Sequence, residues 1–253
     1  MNYNERNGHP RDRRLAFDPA DHRYTLSTDS GPVDCPSVTG IVESLFEPFN
    51  SEYWAKVKAD ASGRPTADIL REWEENGRRA SQLGTALHDN IERHYLGLDA
   101  APDAASDLAY SHFLAFAAVR PLKPFRSEWR IFSERFRVAG TLDFLAFSTA
   151  EEATRFELWD WKRSSKIVKD GRIVSDAFRG RCGIAPAVAH IPDTSYWHYA
   201  IQLSLYRYIL ETEYALSVDA AHLGVFHPNY STPYVVDVPY LRNEAVAILN
   251  SLL

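Results

Sequence analysis

Apolar positions recur along the chain with two different periods. In "SQLGTALHDNIERHYLG", Leu83, Leu87, Ile91 and Tyr95 fall every fourth residue and Gly97 follows. That spacing predicts an amphipathic helix with a glycine stop. Residues 50 to 118 read as helical, punctuated by Gly63-Arg64-Pro65, Gly97 and Pro102. Before them, "LAFDPADHRYTL" predicts a hairpin about Pro19-Ala20-Asp21. "PSVTGIVESLF" predicts a helix to about Phe46, with Ser37 or Thr39 as its N-cap. Pro121 and Pro124 close the helical region. Three strand-like runs follow: "SEWRIFS" (127–133), "FRVAGTLDFLAF" (136–147) and "RFELWDWK" (155–162). The first two are joined by a tight turn near Glu134-Arg135, so an antiparallel meander leads into a core strand. A polar loop runs to about Thr194, then "YWHYAIQLSLYRYILETEY" (196–214) reads as a helix. "AHLGVFH" (221–227) and "PYVVDVP" (233–239) read as strands, and "LRNEAVAILNSLL" as a last helix. The mixture implies an α/β or α+β sandwich.

Charged residues interrupt two of the apolar strands. Side chains alternate faces along a strand, so Leu158, Asp160 and Lys162 share one face while Trp159 and Trp161 share the other. A strand ion pair would account for Asp160 and Lys162 alone. The preceding strand adds Asp143, between Leu142 and Phe144. A carboxylate in an apolar strand is costly to bury unless it is paired or holds a metal. Two such acids on successive strands repel unless a cation joins them. Oxygen ligands of this kind suit Mg²⁺ or Mn²⁺. Gly84 and His88 lie one helical turn apart, and so do Gln202 and Tyr206. Gly84 is expected to let its helix approach another backbone, and His88 offers a third ligand. Taken singly, each of these residues also fits an ordinary core or surface role.

Bulk properties narrow the setting. At 253 residues the chain is long enough for one large domain with a substantial core. It holds two cysteines, Cys35 and Cys182, too few for a disulfide framework or a cysteine metal site, which predicts a reducing intracellular compartment. The polar N-terminus, with Arg11, Arg13 and Arg14 among acids, has no apolar leader, and no run is long enough to span a membrane. Net charge is −6, which by itself disfavours nucleic acid. Locally the balance reverses. Lys162, Arg163, Lys166, Lys169, Arg172, Arg179 and Arg181 stand against only Asp170 and Asp176. A solvated loop would look the same.

In chain order, "GTALH", "GTLD", "DWK" and "QLSLY" resemble the four motifs of the RecB-like branch of the PD-(D/E)XK nuclease superfamily, over about residues 80 to 214. Its single-domain viral, phage-like and mitochondrial members are similar in compactness. The resemblance implies a restriction-endonuclease-like α/β core, a central mixed sheet flanked by helices, within one domain spanning 1–253. Residues 1–120 would form an N-terminal hairpin and helical elaboration, and 121–253 the catalytic core. It implies a nuclease using one or two Mg²⁺ or Mn²⁺ ions, held by Asp143, Asp160, His88 and the Trp161 carbonyl. Glu128 would serve a second ion. Lys162 would position or activate the attacking water, while Gln202 and Tyr206 would brace the site or touch DNA. Arg163, Lys166, Lys169, Arg172, Arg179 and Arg181 would follow the phosphate backbone. Trp54, Trp73, Tyr196 and Trp197 are either base-stacking or core residues. Relatives stapled by an iron–sulfur cluster need four cysteines, so no cluster is expected. An end-directed exonuclease preferring single strands, a flap or junction endonuclease, an RNase and a silent DNA-binding module all remain compatible with these motifs.

Overall fold

The computed structural model describes residues 1–148 and 154–253. A short helix α1 (Tyr3–Arg6) and a 3-10 turn (Pro10–Arg14) precede a three-stranded antiparallel sheet of β1 (Leu15–Asp18), β2 (Arg23–Thr28) and β3 (Gly31–Cys35). Helices α2 (Val38–Ser44), α3 (Ser51–Ser62), α4 (Thr66–Leu96) and α5 (Leu108–Val119) follow. The chain then lays down β4 (Lys123–Ser133), β5 (Val138–Phe147) and β6 (Arg155–Lys162). A small hairpin, β7 (Val168–Lys169) and β8 (Arg172–Ile173), leads to α6 (Ser195–Glu213). Strands β9 (Ser217–Val225) and β10 (Tyr234–Val238) and helix α7 (Arg242–Asn250) complete the chain.

The central sheet has the order β10-β9-β6-β5-β4. Neighbours are antiparallel except β6 and β9, which are parallel, so the sheet is mixed. Helix α6 joins β6 to β9, the crossover a parallel pair requires. One face packs against α2, α6 and α7 through residues such as Val42, Leu145, Leu158, Tyr206 and Ile248. The other face packs against α5 and the second half of α4 through Leu87, Phe113, Phe116, Phe144, Trp159 and Trp161. With both faces covered, β6 is apolar on both sides, hence the near-continuous run in its sequence.

The expected α/β architecture is present, with differences in detail. Ser37 caps α2, its side chain accepting the Gly40 N–H. Strand β4 begins at Lys123 and runs through Pro124. As an edge strand with a bulge there, it loses nothing by the missing N–H. The helix read from 81 to 97 is the second half of a 31-residue helix that passes through Gly77 and Gly84. Strand β3, the β7–β8 hairpin and the ordered N-terminus lack an apolar repeat, and their contacts are tertiary. Arg11 pairs with Glu213 (3.1 Å) and Arg126 with Asp12 (2.8 Å), and Tyr3 donates to Ser127 Oγ (3.0 Å), so the first residues are fastened across β4.

The two motif glycines play opposite parts. A Cβ added at Gly140 would lie 2.7 Å from Tyr206 Cε1 and 2.8 Å from its hydroxyl. The buried ring of α6 therefore rests on the β5 backbone, and two sequence motifs are one packing unit. Gly84 does not bring its helix against another backbone: a Cβ there would meet nothing within 4 Å. Gly140→Ala should cost about 1–3 kcal/mol by overpacking. Gly84→Ala should gain up to about 1 kcal/mol of helix propensity. Urea denaturation of the two variants measures both, and equal effects would contradict this packing.

Candidate active site

The site forms where β5 leaves β6. Their cross-strand pairs run from Phe147–Phe156 to Phe144–Trp159 and stop. The next residues in that register are Asp143 and Asp160. Beyond this point β6 continues beside β9, with Asp160 opposite Leu223 and Lys162 opposite Val225. Meanwhile β5 continues beside β4. A gap opens between two strands that each keep an outer partner. Asp143 bridges it, its Oδ2 accepting the Trp161 N–H at 2.7 Å. The carboxylate thereby satisfies a backbone donor that the ladder has abandoned.

Glu128 enters from β4. The pairs Ser127–Phe144 and Trp129–Leu142 leave it opposite Asp143, and its φ is 44°. A left-handed non-glycine residue inside a strand is strained, and such outliers gather at functional sites. His88 comes from α4. Its Nε2 lies 2.8 Å from the Trp161 carbonyl, which only accepts, so Nε2 carries hydrogen and Nδ1 faces the acids. Nδ1 is 3.6 Å from Asp143 Oδ2 and 3.8 Å from Glu128 Oε1. One ligand atom each from His88, Glu128 and Asp143 lie within 4.8 Å of one another, a group that could hold a metal ion. The Trp161 carbonyl, expected as a ligand, already accepts a hydrogen bond from His88 and has one lone pair left.

Asp160 sits beside this group. It is 2% exposed, and its Oδ2 lies 2.5 Å from Lys162 Nζ. The two form a buried ion pair. Burial pushes the Asp160 carboxyl upward, Lys162 opposes this, and Asp143 adds to it. For Lys162, burial pulls down but Asp160 and Asp143 outweigh it, so the ammonium is held charged. Its Nζ also lies 4.5 Å from the centre of the Tyr199 ring, a cation–π contact. Tyr199 belongs to none of the four sequence motifs. It stands three residues before Gln202 on α6, one helical turn, which is the signal that would have found it.

The fit to a divalent cation follows from charge. Three carboxylates, Glu128, Asp143 and Asp160, converge on one ammonium and one imidazole. Burial favours neutral His88, yet Asp143 and Glu128 lift it to about 9. Without an ion the ring is therefore the second counter-charge. A histidine among converging carboxylates suits Mn²⁺ or Mg²⁺.

These residues face a cleft of about 470 Å³. It is lined by His88, Glu128, Asp143, Lys162, Gln202 and Tyr206, and also by Phe17, His22 and Tyr24. Tyr206 is buried against Gly140, one helical turn from Gln202, so α6 braces the wall there. The basic run is divided. Lys166, Lys169, Arg172 and Arg179 are exposed and form no ion pair among the described residues. Arg163 is largely buried and pairs with Asp107 at 3.2 Å. Arg181 pairs with Asp193 (3.1 Å) and Glu47 (3.4 Å). These two arginines are tied into the fold, and only Lys162 of the run lines the cleft. Tyr196 is core; Trp54, Trp73 and Trp197 are half-buried, and Trp197 donates to the Ser175 carbonyl. Cys35 is buried and Cys182 half-buried, both as free thiols. Among the described residues no helix is long and apolar enough to cross a membrane.

No protein-family model and no curated protein matches the chain. Solved structures similar to it include the protein SSO0001, with 11% identity and a TM-score of 0.34, covering 85% of this chain and 73% of that one. Another is a protein of Eubacterium rectale described as a candidate exonuclease, with 11% identity and a TM-score of 0.36, covering 87% and 82%. At these TM-scores neither likeness assigns a fold or an activity.

A cation bound at His88 must displace its proton. Affinity for Mn²⁺ should therefore climb with pH to about 9 and level off above it. In the ion-free protein the same shift adds stability below the ring's ordinary 6.5, and this is lost as pH rises through about 9. Calorimetry at neutral pH in buffers of different ionisation enthalpy should show about one proton released per ion. Binding without proton release would contradict the placement of His88.

Proposed function

We propose that this chain is a metal-dependent nuclease that hydrolyses phosphodiester bonds in DNA. Its simplest form is an exonuclease acting on ends with single-stranded preference. The observation that carries the reading is the meeting of all four motifs at one cleft. His88, Asp143, Lys162, Gln202 and Tyr206, from four elements, line it together, with Asp160 buried against Lys162.

Phosphodiester hydrolysis needs a nucleophile at neutral pH and relief of charge on the phosphoryl oxygens. A bound divalent ion supplies a water of lowered pKa and Lewis-acid relief of that charge. His88 Nδ1, Glu128 and Asp143 would hold it, with Asp160 and the free lone pair of the Trp161 carbonyl at hand. Lys162 remains a cation because Asp160 and Asp143 keep it so, and it can offset charge that develops on the phosphate. Tyr199 limits where the ammonium points. Asp143 does two jobs at once, since one oxygen is fixed by the Trp161 N–H and the carboxylate thus cannot swing out of the cleft.

Ends, flaps and junctions present the same bond, and the catalytic groups do not choose among them. Incubation with linear single-stranded, linear duplex, flapped and closed circular DNA plus Mn²⁺ separates these forms. Cutting of closed circles would select the endonuclease reading, and no cutting at all the silent binding module. Asp160→Asn should abolish Mn²⁺-dependent cleavage, and Lys162→Ala should lower its rate on the order of 10²- to 10³-fold. Turnover by purified Asp160→Asn would sink the assignment.

Among the basic residues, Lys166 and Arg172 are exposed and uncommitted. Reversing both charges should weaken DNA binding and reduce the slope of log affinity against log salt by about 2. An unchanged slope would remove this hairpin from the phosphate path.

A further inference from the structure

Part of the cleft wall comes from outside the four motifs. Phe17 of β1, His22 of the β1–β2 turn and Tyr24 of β2 all line it. Their rings form one cluster. Phe17 lies 4.6 Å from Tyr24 and 5.2 Å from His22, and His22 lies 5.8 Å from Tyr24. Tyr24 is the anchor: it is 2% exposed, and its hydroxyl is 2.9 Å from Thr141 Oγ1 on the catalytic strand β5. A further bond from Ala139 N–H to the Pro36 carbonyl (3.1 Å) fixes the other end of the small sheet.

The core of that sheet takes up only part of the remaining rings, since Phe17 packs on it from the edge. Leu15, Tyr24, Leu26 and Cys35 are buried against Phe132 and Ala139, whereas Phe17 is only half-buried and His22 is exposed. His22 is also held at φ 49°. Next to them, the Arg130 guanidinium lies 5.2 Å from the centre of the Phe17 ring. Arg130 is exposed and forms no ion pair among the described residues. Gly84 lines the same cleft, with open space where a side chain would be. The aromatic rings and the carboxylate–imidazole group share one cleft, and Arg130 lines the pocket beside it, which has Glu128 in common with the cleft. A base, the phosphate that is cut and the next phosphate along the strand match these three places.

We infer that the N-terminal hairpin is a base-binding subsite. Phe17 and His22 stack on the base next to the bond that is cut, and Arg130 takes an adjacent phosphate. This rests on the nuclease reading and adds a cause for substrate choice. A ring face can be offered only to an unstacked base, so the hairpin selects single strands or frayed ends over intact duplex.

The test reads binding, apart from cleavage. Asp160→Asn protein is titrated with a fluorescent single-stranded oligonucleotide and with copies carrying one abasic residue at each successive position, by anisotropy. Phe17→Ala and His22→Ala, each in that background, should weaken binding to the intact strand roughly tenfold. One abasic position should weaken the parent protein equally and leave Phe17→Ala unaffected. Phe17→Tyr should restore both affinity and sensitivity to that position, which separates stacking from loss of the hairpin fold. Arg130→Ala should weaken binding and lower its salt dependence. If Phe17→Ala and His22→Ala bind like the parent, or lose affinity equally on every abasic copy, the subsite is overturned while the nuclease reading stands. If the parent binds no DNA strand, both fall.

Discussion

The last cross-strand pair between β5 and β6 is Phe144–Trp159, and the following residues on the two strands are both aspartates. Continued pairing would set two carboxylates side by side in a dry sheet, where neither could be charged without cost. The strands separate instead, each retaining its outer neighbour, and the Asp143 side chain takes over the stranded Trp161 N–H. The cleft exists because of that exchange. Lys162 then has an acid on its own strand to pair with, and His88 can reach the Trp161 carbonyl from α4.

Rigidity on either side of the gap makes the arrangement possible. Beneath it, Trp159 and Trp161 pack against α5, and Tyr206 fills the space left by Gly140. The strain sits at Glu128, in left-handed backbone within β4, where the neighbouring pairs on both sides hold it. Burial, charge and strain are concentrated in a few residues, and the surrounding sheet and helices carry them.

Much of this was legible in the sequence, and the reasons are physical. Strand β6 is legible at its limits because its run is too short for a helix and rich in aromatic residues. The meander, α6 and the last two strands followed from similar runs. What escaped was tertiary. The β3 segment "GPVDC" has no strand signal until it pairs with β2. Gly84 and Gly140 look alike as letters, but only the packed structure shows Tyr206 against one of them. His88, Asp143, Asp160 and Lys162 are nameable one by one from strand and helix spacing, and Glu128 only through the resemblance. Their grouping is not. His88, Glu128 and Asp143 converge, while Asp160 pairs with Lys162 at the side, and this depends on where two strands part. In the sequence Arg163 and Arg181 look like the other basic residues; only the fold sets Asp107 and Asp193 beside them.

The central claim is that the parting of β5 and β6 builds a cation site from His88, Glu128 and Asp143, with Asp160 at its edge. Crystals grown with Mn²⁺ and measured near the manganese absorption edge test it directly. The account predicts one anomalous peak in contact with His88 Nδ1, Glu128 and Asp143, lost in Asp143→Asn crystals grown the same way. Crystals with these residues ordered and no peak among them, or a peak that survives the substitution, would contradict it.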